Sequence, residues 1–224
     1  MKRFAYVAAV CLVCVLGIDA VSAEAQTPPP RAGSDPKMYA EFNFGPTLGH
    51  KSDKFFGGEF GFRIVDGLYV IVEASHMGNV GTTALDNNAT VIANFLGGTA
   101  STAFKEKHGA VGLRYNINLD VSPMVHPYVL AAVGVAHVET QVEFNVGGTA
   151  VDPASKGVQL GGDLSGTQNK TIFVVGFGVN VPFMERFFVD LGYRYGQILA
   201  KTDTVETDTG IPTQRVVLGV GVRF

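Results

Sequence analysis

The side chains that most often perform catalysis are scattered along this chain. The histidines are well separated and form no H-x-x-x-H or H-E-x-x-H pair, so the sequence offers no zinc site. They stand at His50, His76, His108, His126 and His137. No G-x-S-x-G occurs, and the Gly-Gly pairs lack the context of a phosphate-binding loop. The sequence therefore predicts a protein that is not an enzyme, with no catalytic residue, metal or cofactor.

Charged residues carry a more informative pattern. They make up 17% of the chain, and within alternating segments they share one face with glycine while the other face is apolar. This face carries Glu41, Glu59, Arg63, Glu73, Arg114, Asp190, Arg194, Arg215 and Arg223. Carboxylates and guanidinium groups in a confined space must pair, because leaving one partner alone costs about 3–5 kcal/mol. The pattern predicts an interior network of structural salt bridges, and a charged solute pathway is the alternative.

Eight segments with period-two alternation position these charges, as is typical of strands with two different faces. Seven of them cover residues 38–48, 55–65, 68–77, 104–116, 125–144, 170–181 and 187–199. The eighth ends the chain, with Val216, Leu218, Val220, Val222 and Phe224 on its apolar face. The segment 125–144 is rich in Ala, Gly and Val, so the sequence leaves its facing open.

The connections between these segments are predicted to alternate in length. Those after the second, fourth and sixth segments are short, and Asp66-Gly67 is a strong hairpin signal. Those after the first, third, fifth and seventh are expected to be longer. The apolar run 91–96 fits either a short helix or a strand extension. The acidic residues of the loop 200–212 fit solvated charge better than a divalent-cation site.

The N-terminus predicts export. Residues 1–25 have a basic start, Lys2-Arg3, and an apolar core of about 14 residues, which is too short to span a bilayer. This is typical of a signal peptide, with cleavage after Ala23 or Ala25. Both cysteines, Cys11 and Cys14, lie inside it. The Pro-rich residues 26–37 are expected to form a flexible periplasmic spacer, and residues 38–224 form the folded domain.

An apolar outer face around a crowded, charged interior indicates a membrane barrel, whereas a soluble β-protein would place its charges outside. We predict an all-β fold: an eight-stranded antiparallel transmembrane up-and-down β-barrel with short periplasmic turns and long extracellular loops. Interface aromatics are expected at both rims. Phe187 and Tyr195 would bracket the seventh strand, and the turn-side rim would carry Tyr115, Tyr128, Phe183 and Phe224.

Three stretches support a family resemblance: Phe60–Arg63 (FGFR), residues 127–134 (PYVLAAVG) and residues 189–195 (VDLGYRY). Over residues 38–224 the chain resembles the small outer-membrane barrels of the OmpA, OmpX and opacity-protein type, without a peptidoglycan-binding domain. The resemblance implies the outer membrane of a Gram-negative bacterium, with outer-membrane lipid and lipopolysaccharide as partners. It also implies periplasmic chaperones and the barrel-assembly machinery, which would read a terminal signal formed by Tyr195, Val220, Val222 and Phe224.

Barrels of this kind share an architecture and not a chemistry. The long loops favour a structural and surface-interaction role, such as adhesion or contact with a host ligand. A narrow pore for small solutes or ions is the alternative. A lipid-modifying enzyme is the third, although His126-Pro127-Tyr128 lacks the serine of the similar lipid A deacylase barrels. We expect a monomer with no nucleic-acid partner.

Overall fold

A computed structural model describes residues 36–117, 125–160, 164, 166–199 and 210–224. The predicted signal peptide, its cleavage site and residues 26–35 of the spacer lie outside these ranges. The acidic residues of the last loop, which fall within 200–209, lie outside them as well.

Strands make up most of the described chain. Their bounds are β1 Met38–Leu48, β2 Lys54–Val65, β3 Leu68–Met77, β4 Thr99–Asn116, β5 His126–Val146, β6 Thr149–Val151, β7 Gly166–Pro182, β8 Phe187–Ile198 and β9 Ile211–Arg223. One α-helix, α1, spans Thr83–Phe95, and a 3₁₀ turn covers Pro153–Lys156. Each of the eight predicted strands is present.

The strands close into a barrel. Every neighbouring pair is antiparallel, β4 pairs with β5, and β9 pairs back onto β1, while β6 adds only a short ladder to β5. At the seam, Met38 N donates to Phe224 O at 3.0 Å and Phe224 N donates to Met38 O at 2.9 Å. Closure removes the unpaired edges that an open sheet would expose. The predicted eight-stranded antiparallel barrel is confirmed.

The outer face is apolar and the inner face carries the charges. On β2, for example, Phe56, Phe60 and Phe62 are exposed, while Glu59 between them is 3% exposed. The same alternation holds on β8, where Val189 and Leu191 face outward and Asp190 is fully buried. Charge on the outer face would meet hydrocarbon at a cost of about 2–4 kcal/mol per Arg or Lys. The register of each strand is therefore fixed by this alternation.

One end of the barrel carries the connection between β3 and β4 and is called the loop end; the end that carries the β2–β3 turn is called the turn end. Two strands extend well past the others at the loop end. β4 has 18 residues and β5 has 21, whereas a tilted membrane strand needs about 9–11. The prediction of β4 over 104–116 was too short, because its outer residues Thr99–Ala103 pair with β5 and not with β3. These extensions place a two-stranded ladder, Thr99–Ala103 paired with the end of β5, beyond the apolar belt.

The predicted alternation of loop lengths is wrong in two places. The first connection covers only residues 49–53, and the connection from β4 to β5 is longer, at 117–125. The first loop is short because Thr47 ties it closed. Thr47 N donates to Asp53 O at 2.6 Å, and Asp53 N donates to Thr47 Oγ1 at 2.8 Å.

The third connection contains α1, which resolves the open choice between helix and strand extension. Thr82 caps its start by accepting a hydrogen bond from Leu85 N at 3.3 Å. Leu85 and Ala89 belong to the same buried cluster as Phe55 and Phe104, whose side chains face the interior near the loop end. Among the described residues, no helix is both long and apolar enough to cross a bilayer.

The structure shows which side chains of β5 point into the lumen and which point outward. Tyr128, Leu130 and Ala136 are buried inside, and Val129 and Val133 face outward. The prediction that Tyr128 belongs to the interface aromatics is therefore wrong, since its side chain is 1% exposed. The sequence left this strand undecided because both of its faces carry apolar side chains.

Candidate functional site

Three carboxylates form a row inside the barrel. Glu41 on β1 lies directly opposite Glu59 on β2, which lies directly opposite Glu73 on β3. Arg194 on β8 and Arg215 on β9 are likewise direct cross-strand neighbours. Like charges placed opposite each other destabilise a sheet. Each row therefore depends on the oppositely charged row that contacts it across the lumen.

The two arginines bridge the acidic row. Arg194 Nη2 donates to Glu59 Oε2 at 2.7 Å, and its Nη1 contacts Glu73 Oε2. Arg215 Nη2 donates to Glu73 Oε1 at 3.0 Å. Both arginine side chains are at most 3% exposed, so these ion pairs lie in the interior of the barrel.

Arg114 on β4 joins carboxylates from three strands. Its guanidinium donates to Glu59 Oε1 and Asp190 Oδ2, each at 2.9 Å, and reaches Glu41 Oε2 at 3.3 Å. The group also lies over the Tyr128 ring at 3.6 Å from its centroid, and Tyr128 Oη donates to Asp190 Oδ1 at 2.7 Å. Arg114 is thus the residue through which β1, β2, β4 and β8 are linked.

A histidine and a further glutamate extend the network toward the loop end. His108 Nδ1 lies 2.7 Å from Glu106 Oε1, and His108 Nε2 lies 2.9 Å from Glu73 Oε1, with all three side chains buried. Sequence reasoning missed Glu106 and His108. The sequence contained the signal for them. Arg114 and Ala110 face the lumen, and counting back from Ala110 two residues at a time reaches His108 and then Glu106.

The structure brings seven of the nine candidate residues into direct contact: Glu41, Glu59, Glu73, Arg114, Asp190, Arg194 and Arg215. The other two lie near the turn end. Arg63 Nη1 is 3.8 Å from Asp66 Oδ1, which is exposed. Arg223 bonds to Asn180 and lies over the Phe188 ring at 5.1 Å.

Glycine makes the room that these charges need. A Cβ added at Gly219 would lie 2.2 Å from Glu41 Oε1, and one at Gly221 would lie 2.1 Å from Phe188 Cζ. Neither position admits a side chain without displacing its neighbour. The glycine-bearing face of β9 is therefore a packing requirement of the filled lumen.

Helix α1 is tied across the loop end by Asp86. Lys51 Nζ donates to Asp86 Oδ1 at 2.9 Å, His50 Nε2 lies 2.7 Å from Asp86 Oδ2, and Thr102 Oγ1 also bonds to this carboxylate. Burial raises the pKa of Asp86, but the hydrogen bonds from Thr102, Lys51 and His50 outweigh it, so the pKa lies below its usual value. The helix is thereby fastened to both the first loop and β4.

A cavity of about 240 Å³ lies beside the start of α1, lined in part by His50, Thr82 and Gln214. Within the ranges that the structure describes, no group of three His, Cys, Asp or Glu side chains is arranged to hold a metal ion.

A closed antiparallel barrel with an apolar outer face and an ion-paired interior defines a transmembrane β-barrel of the outer-membrane class. The chain belongs to the outer membrane protein beta-barrel domain family, whose model matches residues 11–224.

Solved structures of the same class are similar to this chain. Neisserial surface protein A is 20% identical, with 84% of this chain and 96% of that chain covered and a TM-score of 0.49. Ail of Yersinia pestis is 16% identical, with 85% and 100% covered and a TM-score of 0.47. The N-terminal barrel of Pseudomonas aeruginosa OprF is 15% identical, with 84% and 98% covered and a TM-score of 0.46. No curated protein matches the chain.

Proposed function

We propose that this protein is a non-enzymatic barrel of a Gram-negative outer membrane that contacts an extracellular ligand or surface through its loop end. The turn end, where β1 begins and β9 ends, faces the periplasm, and the end that carries α1 faces outward. Residues 1–25 act as a signal peptide removed after Ala23 or Ala25. N-terminal sequencing of the protein from outer-membrane fractions tests export, and a free periplasmic protein would contradict it.

The observation that carries this proposal is the surface of α1. Val91 and Phe95 are 69% and 80% exposed, and their spacing of four residues places them on one side of the helix. The opposite side is packed, since Leu85, Ala89 and Ala93 are buried. Clustered exposed apolar side chains on an otherwise polar loop mark an interaction surface. The extensions of β4 and β5 hold this surface beyond the apolar belt.

A double variant, Val91→Ser with Phe95→Ser, tests the role of this surface. Bacteria that express it are expected to adhere to epithelial monolayers no better than cells without the protein. The matched control is Asn87→Ser with Asn88→Ser, which changes two exposed residues of the same helix and should adhere as the wild type does. Both variants must reach the outer membrane and keep heat-modifiable migration. Unchanged adherence of the apolar variant would overturn the proposal.

A narrow pore is the second candidate, and unpartnered lumen atoms favour it. Arg215 Nε and Nη1, Glu106 Oε2 and Thr213 Oγ1 are buried without a hydrogen-bond partner in the described protein. Polar atoms of this kind could line a path for water or ions. Planar-bilayer recording separates the two functions. Stable, ion-selective openings would support the pore, and a silent bilayer would support the closed plug.

Assembly partners follow from the terminal strand. Phe224 closes the seam through Met38, and its ring lies 6.3 Å from that of Phe60. We propose that chaperones deliver the chain and that the assembly machinery reads Phe224 with Tyr195, Val220 and Val222. Phe224→Ala should slow folding by purified assembly complex and leave unassisted folding into short-chain vesicles nearly unchanged. Equal slowing in both assays would assign Phe224 to the seam alone.

A further inference from the structure

The connected ion-pair network of the lumen contains more acidic groups than basic ones. Its acids in the described chain are Glu41, Glu59, Glu73, Glu106 and Asp190, and its bases are Arg114, Arg194, Arg215 and His108. His108 counts as a cation, because both of its ring nitrogens face carboxylate oxygens and only an imidazolium ion donates from both. With every group charged, the network carries one negative charge in excess.

The arginines at the turn end make their contacts outside this network. Arg63 Nη1 lies 3.8 Å from Asp66 Oδ1, and Arg223 bonds to Asn180. An ionised carboxylate that is buried without its own counter-ion is costly, and such a group usually becomes neutral instead. The network therefore needs one further positive charge, and a proton on one of its acids is the simplest source.

Glu41 has the weakest ionic contact of the five acids. Its Oε2 lies 3.3 Å from Arg114 Nη1, and the same guanidinium lies 2.9 Å from both Glu59 and Asp190. Each of the other four acids contacts a cationic nitrogen at 3.0 Å or less. The charged groups that face Glu41 are Glu59 on β2 with its partner Arg194, Arg114 on β4, and Asp190 on β8. Because Glu59 lies directly opposite, an ionised Glu41 would also face a like charge.

The second oxygen of Glu41 shows where the proton lies. Glu41 Oε1 and Asn43 Oδ1 are both buried and have no hydrogen-bond partner among the described residues. They are close to each other, because a Cβ added at Gly219 would lie 2.2 Å from the first and 2.7 Å from the second. Two acceptors cannot satisfy each other. A proton on Glu41 Oε1 makes this oxygen a donor and satisfies both atoms.

We propose that Glu41 is a neutral carboxylic acid in the folded barrel at neutral pH and that its Oε1 hydroxyl donates to Asn43 Oδ1. This proton makes the charge of the network zero. In the unfolded chain Glu41 is ionised at neutral pH, so folding of the barrel takes up one proton from water. The proton site is the same whichever end of the barrel faces outward, and it is independent of any ligand of the loops.

Replacement of Glu41 by glutamine tests the charge of this side chain. Glu41→Gln keeps the shape of the group and a donor for Asn43, so its urea midpoint in lipid vesicles at neutral pH should equal that of the wild type or exceed it slightly. The matched control is Glu59→Gln at the facing position, which removes an ionised partner of two arginines and should lower the midpoint by about 1–2 M. A decrease of that size in Glu41→Gln would overturn the proposal. Heat-modifiable migration identifies the folded fraction in every variant.

Infrared spectroscopy detects the proton directly, and the wild type alone suffices for the first result. At neutral pH the folded wild type should show the carbonyl stretch of a protonated carboxyl group, which lies above the amide I band. The band should be absent from Glu41→Gln and present in Glu106→Gln, which removes the other network acid with an unpartnered oxygen in the described chain. A wild type without this band, or a band lost only in Glu106→Gln, would contradict the assignment. A wild-type urea midpoint that rises with sodium but not with choline at equal ionic strength would place a metal ion there and would also overturn it.

Discussion

Replacing Arg114 with methionine tests whether the ion-pair network holds the barrel together. The change keeps a long side chain but removes all three charged contacts, to Glu41, Glu59 and Asp190. Removing one partner from a buried charged pair costs about 3–5 kcal/mol. Glu59 retains Arg194 and Asp190 retains Tyr128, so the costs of the three contacts do not add. We expect the free energy of unfolding to fall by about 3–5 kcal/mol.

The measurement is urea unfolding in lipid vesicles. The chain has no tryptophan, so the folded fraction is read from heat-modifiable gel migration. With a urea dependence of about 3 kcal/mol per molar, the midpoint should fall by about 1–2 M. The control is Arg186→Met at an exposed turn position, where little change is expected. Asp190→Asn added to the Arg114 variant should restore part of the loss by removing one uncompensated charge.

A loss below about 1 kcal/mol in Arg114→Met, close to that of the Arg186 control, would refute the reasoning. The lumen would then tolerate unpaired carboxylates, which requires water among them. A full loss without any restoration by Asp190→Asn would assign the effect to the packing of Arg114 on Tyr128 and not to charge. Arg114→Lys gives a further check, since it keeps the charge but cannot form the planar fork, and it should fall between the wild type and methionine.

Three other changes have defined outcomes. Gly134→Ala should lower the free energy of unfolding by about 1–3 kcal/mol, because the new Cβ would lie 2.0 Å from the carbonyl oxygen of Gly109; Gly109→Ala, with no atom within 4 Å of its Cβ, is the control in the same urea assay. Val111→Arg on the apolar belt should cost about 2–4 kcal/mol, and Ser101→Arg on the same face of β4 but beyond the belt should cost about 0–1 kcal/mol. The pKa of Asp86 is lowered in the folded state, so its contribution to docking α1 is present above the ordinary aspartate pKa of about 3.9 and is lost as the pH falls through the lower folded-state value. The protection factors of the α1 amides, which are corrected for the pH dependence of chemical exchange, should therefore fall on acidification in the wild type, and in Asp86→Asn they should be low at every pH.

The strands could be predicted because each residue of a barrel strand has only two environments. A charge on the lipid side costs free energy, so the position of Glu59 between Phe56 and Phe60 is enough to predict which face of β2 points into the lumen. The same rule fails on β5, where Ala131 and Ala132 would be tolerated on either side. Its facing, and hence the interior position of Tyr128, follows only from pairing with β4 and β7.

The sequence predicted which residues face the lumen better than it predicted which of them form ion pairs with each other. Period-two parity assigns Arg63, Arg223 and Arg114 to the same side, yet Arg114 contacts the acidic row while Arg63 lies beside Asp66 and Arg223 bonds to Asn180 near the turn end. What separates them is height along the barrel, which depends on how far each strand is shifted relative to its neighbours. Parity is a local property of one strand, and height is a property of all eight together. Hence the sequence could indicate which residues face the lumen, but the choice of partners required the closed barrel.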